Sequence, residues 1–329
     1  MPSNTSTRPL HRAFVAALLL LAALGVGCDR SKPPVDETAN QVRVEPAPDD
    51  LPDSDNGLWE DAAAAQVITA PFLWRVDGGG GDPVYLMGTI HLGVDARQEL
   101  PPVVWDSLKA SQTFVMEADI SQVNPFALGK YIQLPPGESL QSKLEPDVWR
   151  GVRELVSDLL PEPILARSQP WYVNILIVQQ LFPKTPPMDM TLLAEAKQQK
   201  MALGFLETVD DQFGMLSGLP EAYSIKSLNQ AVREGEQLRQ EIDAMLSGYR
   251  AGDAAGLEAL IIENDSFKEW PEARDTMLLD RNARWMTRIE GYVKQGDVFI
   301  AVGLGHLLGE GSVVDLLRDK GYTVQRVTP

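Results

Sequence analysis

Residues 72–120 read FLWRVDGGGGDPVYLMGTIHLGVDARQELPPVVWDSLKASQTFVMEADI, and two apolar runs within them decide the fold class. The first, 84–87, feeds into Gly88-Thr89-Ile90-His91, and the second, 114–116, ends on Glu117. Both are short, unbroken and bounded by polar or glycine-containing sequence, the pattern of strands buried on both faces of a sheet. Between them Pro101-Pro102 opens a helix to about Ala110, so strand, helix and strand in that order imply a parallel crossover. Upstream, 72–76 reads as a first strand, turning through four glycines into the second. Far downstream, 298–302 runs into Gly303-Leu304-Gly305-His306. The expected fold is therefore α/β: a central mixed, largely parallel sheet with GxxH motifs at strand ends, flanked by many α-helices.

In open sheets of this kind ligands collect outside the carboxyl ends of the strands. His91 and His306 are the only histidines beyond residue 27, and each lies three residues past a glycine at a strand end. With Glu117 they form a candidate set for a divalent metal, leaving positions for water or substrate. The plainer alternative is that both histidines are satisfied turn residues.

Residues 88–93 (GTIHLG), 116–119 (MEAD) and 302–307 (VGLGHL) resemble the paired GxxH motifs of the TraB/GumN family, which is related to the Tiki metalloproteases. The resemblance runs over roughly 73–327. Pro170-Trp171 is similar to a recurrent pair of the family. Asp189, the helix expected over 190–199 and the apolar strand expected over 203–208 resemble its aspartate, helix and GLET-like strand, here with Phe205 inserted between Gly204 and Leu206. Arg281-Asn282 matches its Arg-Asn pair. The resemblance implies a metal-dependent protease favouring manganese or cobalt, and zinc is a further candidate ion.

On this reading His91, Glu117 and His306 are metal ligands. An ion there would lower the pKa of a bound water and polarise a carbonyl. Glu207 would take the water's proton as general base, although the sequence does not fix which glutamate is ligand and which is base. Arg281 would hold a substrate carboxylate or the developing oxyanion, and Asn282 would orient a ligand or donate a hydrogen bond. The plainer reading of Arg281, which falls beside the apolar stripe Leu278, Trp285, Ile289 and Tyr292, is a side chain that snorkels to solvent. Asp189 reads first as a helix N-cap. No HExxH is present, so this is not a standard zincin. The expected function is an exported, metal-dependent peptidase acting on peptide or protein substrates. The rivals are a lipoprotein that binds a metal or haem without chemistry, and metal-free hydrolysis with a histidine as base.

Composition bounds the rest. The chain has 329 residues and a formal net charge of −17, with no Lys/Arg cluster, which argues against a nucleic-acid surface. Residues 1–27 carry Arg8 and Arg12 ahead of an uncharged, mostly apolar stretch over 13–27, the pattern of a signal peptide too short to span a membrane comfortably. Cys28, the only cysteine, follows an imperfect lipobox, Leu24-Gly25-Val26-Gly27. Acylation there would anchor the protein in a membrane, facing the periplasm or cell exterior. A single cysteine leaves no internal disulfide. Residues 28–60, rich in acids and prolines, read as a flexible tether, followed by a domain over 61–329 with helical insertions at about 123–200 and 221–265. The helix expected over 171–182 is apolar nearly all round and belongs either to the core or over a cleft. The helices expected over 224–248 and 254–262 read as solvated and structural. The oligomeric state is left open.

Overall fold

The computed structural model describes residues 67–119 and 125–328. The expected signal peptide at 1–27, Cys28 and the whole tether at 28–60 lie outside the described residues. Six strands, β1 (Leu73–Asp77), β2 (Val84–Thr89), β3 (Thr113–Met116), β4 (Ala202–Phe205), β5 (Val298–Gly303) and β6 (Thr323–Arg326), form one sheet in the order β4-β3-β5-β2-β1-β6. Four neighbours, β4, β3, β5 and β2, run parallel, and β1 and β6 close one side antiparallel. Helices flank this mixed, mostly parallel sheet, so the fold class is α/β.

The crossover from β2 to β3 is parallel, as strand, helix and strand require, but it skips a place. The late strand β5 enters between them and pairs with both, Thr89 with Gly303 and Met116 with Ala301. That register brings the ends of all three strands nearly level. Every residue of β3 and β5 is buried, and Phe114 stacks on Phe299 across their pairing with ring centroids 6.2 Å apart. Burying each such aromatic ring contributes about 2–3 kcal/mol.

Two glycines make the close approaches that this arrangement needs. At Gly79, in the β1–β2 turn, a Cβ would meet the carbonyl oxygen of Val293 at 2.1 Å, so only a glycine lets the turn rest on the end of the last long helix. At Gly88 a Cβ would lie 2.6 Å from Leu304 Cδ1 and 3.3 Å from Phe72 Cβ. The glycine of the first motif thus lets the second motif pack directly against it.

The helix Pro170–Gln179 belongs to the core, with Trp171, Val173, Ile175, Ile177 and Val178 all buried, and it packs against the helix Glu221–Arg233. The expected buried strand at 203–208 needs correction. β4 pairs only with β3, and as an edge strand it leaves Leu203 39% exposed. The helical stretch over 271–295 is not wound uniformly. Pro271–Arg274 runs into a π-turn at Asp275–Leu279, where the Asp280 N–H bonds the carbonyl of Asp275, and regular winding resumes over Asp280–Gln295. Such one-residue expansions recur at functional sites. Beyond it Arg281, Asn282, Trp285 and Ile289 are all buried. Among the described residues no helix is long and apolar enough to cross a membrane.

Candidate active site

The level strand ends gather the predicted residues at one edge of the sheet. β2 delivers Thr89 and His91, β3 delivers Glu117, and β5 leads through Gly303 into the short 3-10 turn Leu304–His306. Just past β4, the N–H groups of Leu206 and Glu207 both donate to the carbonyl of Glu117, at 3.1 and 2.8 Å. Glu117 and Glu207 are therefore tethered backbone to backbone. The helix Asp280–Gln295 covers this edge with Arg281, Asn282 and Trp285.

Arg281 is the hub and has no solvent exposure. Its Nε donates to Glu207 Oε2 at 3.2 Å, and its Nη2 to Glu207 Oε1 at 2.6 Å and to Glu117 Oε2. Its Nη1 donates to His306 Nε2 at 2.9 Å and to the carbonyl of Met277, in the π-turn, at 3.2 Å. A guanidinium has five N–H donors, and here five contacts within the protein use them. None is left for a substrate carboxylate or oxyanion. The snorkelling alternative does not occur, because the guanidinium lies 4.6 Å from the centroid of the Trp285 ring. Burial opposes the charge on Arg281, but Glu117 and Glu207 outweigh it and hold the pKa above its usual value.

The carboxylates have further partners. Glu117 Oε1 accepts the Gly303 N–H at 2.8 Å, and Oε2 accepts from Gln212 Nε2 at 3.2 Å. The Trp285 indole N–H donates to Glu207 Oε2 at 3.1 Å. Burial pushes the Glu207 carboxyl up, and the nearby guanidinium offsets this only in part.

His306 is fixed in one tautomer. Asn282 Nδ2 donates to the Gly311 carbonyl at 3.0 Å, which turns Asn282 Oδ1 toward His306 Nδ1, 2.7 Å away. Nδ1 therefore carries the proton, and Nε2 offers its lone pair to Arg281. Asn282 thus orients the His306 ring. Burial, followed by the charges of Arg281 and His91, pushes His306 far below the ordinary histidine value and keeps it neutral.

His91 stands apart from this hydrogen-bonded group and interacts with Glu117 and Arg281 through charge. Its Nδ1 bonds Asp189 Oδ2, and Asp189 Oδ1 accepts the Thr89 hydroxyl at 2.8 Å. This corrects the N-cap expectation for Asp189. The cap position of the helix Met188–Gln198 is Pro187, and Asp189, in the first turn, turns its carboxylate toward the end of β2. Burial disfavours a charged His91, yet Asp189 and then Glu117 outweigh burial and raise its pKa above 6.5. His91 Nε2 is buried and has no hydrogen-bond partner. Buried polar nitrogens are rarely left bare without a functional reason.

Tyr249 also belongs to the site. Its hydroxyl donates to the Gly88 carbonyl at 2.8 Å and lies 3.4 Å from Met188 Sδ, linking the first motif to the residue before Asp189. The expectation of a solvated structural helix missed it. The signal was the stripe Leu238, Ile242, Met245, Leu246 and Tyr249, which marks a buried face.

Among the described residues, no group of three or more His, Cys, Asp and Glu side chains is arranged to hold a metal ion. Arg281 takes the Nε2 of His306 and an oxygen of Glu117, the lone pairs an ion shared with His91 would need. A three-ligand metal centre does not fit these side chains as they stand. The bare, carboxylate-oriented imidazole of His91 is suited to accepting a proton.

A model of the TraB/PrgY/gumN family matches residues 72–326. The chain is 26% identical to "Metalloprotease TIKI2" of Danio rerio, over 82% of this chain and 63% of that protein. It is 25% identical to "Metalloprotease TIKI1" of Homo sapiens, over 77% of this chain and 61% of that protein. It is also 25% identical to "Uncharacterized protein YbaP" of Escherichia coli strain K12, over 73% of this chain and 89% of that protein. The chain thus spans about three fifths of the length of these TIKI relatives. No solved structure matches it.

Proposed function

Because the chain belongs to the TraB/PrgY/gumN family, we propose that it is a hydrolase of peptide bonds in which His91 is the general base. The observation that carries this reading is His91 itself, held at Nδ1 by Asp189 and bare at Nε2, beside a buried cluster of charge. Asp189 fixes the tautomer and stabilises the imidazolium formed when Nε2 takes a proton from the attacking water. The same nitrogen then returns the proton to the leaving amine. Arg281 holds Glu117, Glu207 and His306 in place and supplies a fixed positive charge. The names of the TIKI relatives support a peptidase and suggest dependence on a divalent metal. We further place the protein outside the cytoplasm, anchored to a membrane through Cys28.

The test is digestion of a peptide library by purified protein, with and without a chelator and with manganese, cobalt or zinc restored. Cleavage that disappears in both His91→Ala and Asp189→Asn supports the reading. Absence of cleavage by folded wild-type protein under every one of these conditions ends it, as does full activity in His91→Ala.

A further inference from the structure

We infer that Arg281 is an internal cation filling the place a divalent ion would take among Glu117, Glu207 and His306, so that this chain holds no ion there while Arg281 is present. The claim concerns the cofactor of the proposed hydrolase, but it rests on the cluster alone and is read without substrate.

Three relationships carry it. The first is the donor count. His306 Nε2, Glu117 Oε2 and both carboxylate oxygens of Glu207 all accept from the one guanidinium. These are the lone pairs that imidazole and carboxylate would give a metal. An ion entering here would strip Arg281 of its acceptors and leave an unpaired charge without solvent exposure, which is strongly unfavourable.

The second is tautomer control. In metal sites an outer hydrogen bond commonly fixes a ligating histidine, as Asn282 does for His306 here. The lone pair so presented is aimed at Arg281. The third is confinement: the Trp285 ring on one side and the Met277 carbonyl on another hold the guanidinium where it is. His91 Nε2 remains open, but one nitrogen is too few ligands for a tightly held ion.

The experiment uses the purified full chain, stripped with a chelator, dialysed and titrated with manganese, cobalt and zinc chlorides by calorimetry and by thermal melting. Wild type should show no binding at this cluster tighter than about 1 mM, and its Tm should move by less than about 1 °C at that concentration. Arg281→Met removes the cation but keeps the acceptors, so its Tm should be lowered in chelator and raised by ion, with binding at least ~100-fold tighter than wild type. Adding Glu117→Gln should erase that gain and so locate the ion. Arg281→Lys, which keeps a positive charge, should stay ion-free.

Two results overturn the inference. One is an ion bound stoichiometrically by wild type and lost in His306→Gln. The other is a folded Arg281→Met that gains no ion affinity. If Arg281→Met fails to fold even with ion added, the wild-type and His306→Gln titrations decide. Each of these readouts stands whether or not the protein cleaves peptides.

Discussion

His91 and Asp189 lie 98 positions apart in the chain and meet in a buried hydrogen bond between Nδ1 and Oδ2. The same carboxylate also holds the Thr89 hydroxyl, so the end of β2 and the first turn of the helix Met188–Gln198 are pinned by one side chain. The pairing leaves the other imidazole nitrogen free, and that freedom is what gives the site its proposed chemistry.

Replacing Asp189 by Asn should therefore damage catalysis much more than folding. The amide either donates to Nδ1 and turns the lone pair inward or leaves the tautomer unset. Cleavage is expected to fall by about 10²–10⁴-fold while the far-ultraviolet circular dichroism is unchanged. Thr89→Val removes only the outer hydrogen bond and should destabilise by about 1 kcal/mol, measured by urea denaturation.

The rate of cleavage should rise with pH. A general base works when neutral, and His91 loses its proton above 6.5 because Asp189 and Glu117 favour the charged form. The midpoint of kcat/KM against pH is thus expected above 6.5, moving down in Asp189→Asn. A profile flat across the neutral range would count against His91 as base.

Stability should also rise with pH, through His306. Its folded pKa lies far below 6.5, so as pH falls through 6.5 the unfolded chain binds a proton that the folded chain refuses. Its penalty is absent above that pH and grows below it, at up to about 1.4 kcal/mol per pH unit. Urea titrations between pH 7.5 and 5, compared with His306→Gln, isolate this contribution, and the wild-type slope should be the steeper.

Tyr249→Phe tests the support behind the first motif. Loss of the hydroxyl leaves the buried Gly88 carbonyl without that donor and should cost about 1–2 kcal/mol. Because Gly88 starts the turn that ends at His91, the peptidase rate should fall as well. A variant less stable but fully active would make Tyr249 a packing residue only.

Much of the sheet was legible because 84–87, 114–116 and 298–302 are short apolar runs without alternation, as doubly covered strands require. Their order was not legible. The entry of β5 between β2 and β3 is a long-range pairing that no local pattern encodes. β4 misled for a related reason, since its apolar run looked buried while lying at the edge. Asp189 near the start of a helix resembles a cap whatever its side chain does, and only the fold brings it to His91. Arg281 was legible as a residue at the apolar stripe, but its full set of acceptors was not, because they come from three different strand ends and a π-turn.

The loosened stretch at Asp275–Leu279 sets the angular position of everything after it. Ordinary winding at unchanged length would swing Arg281 by about 100° around the axis, past its acceptors. The tidier rod would form more readily and present the wrong face. In this protein a local defect of coiling aims the guanidinium, so the winding of that stretch is constrained even where residue identity is not.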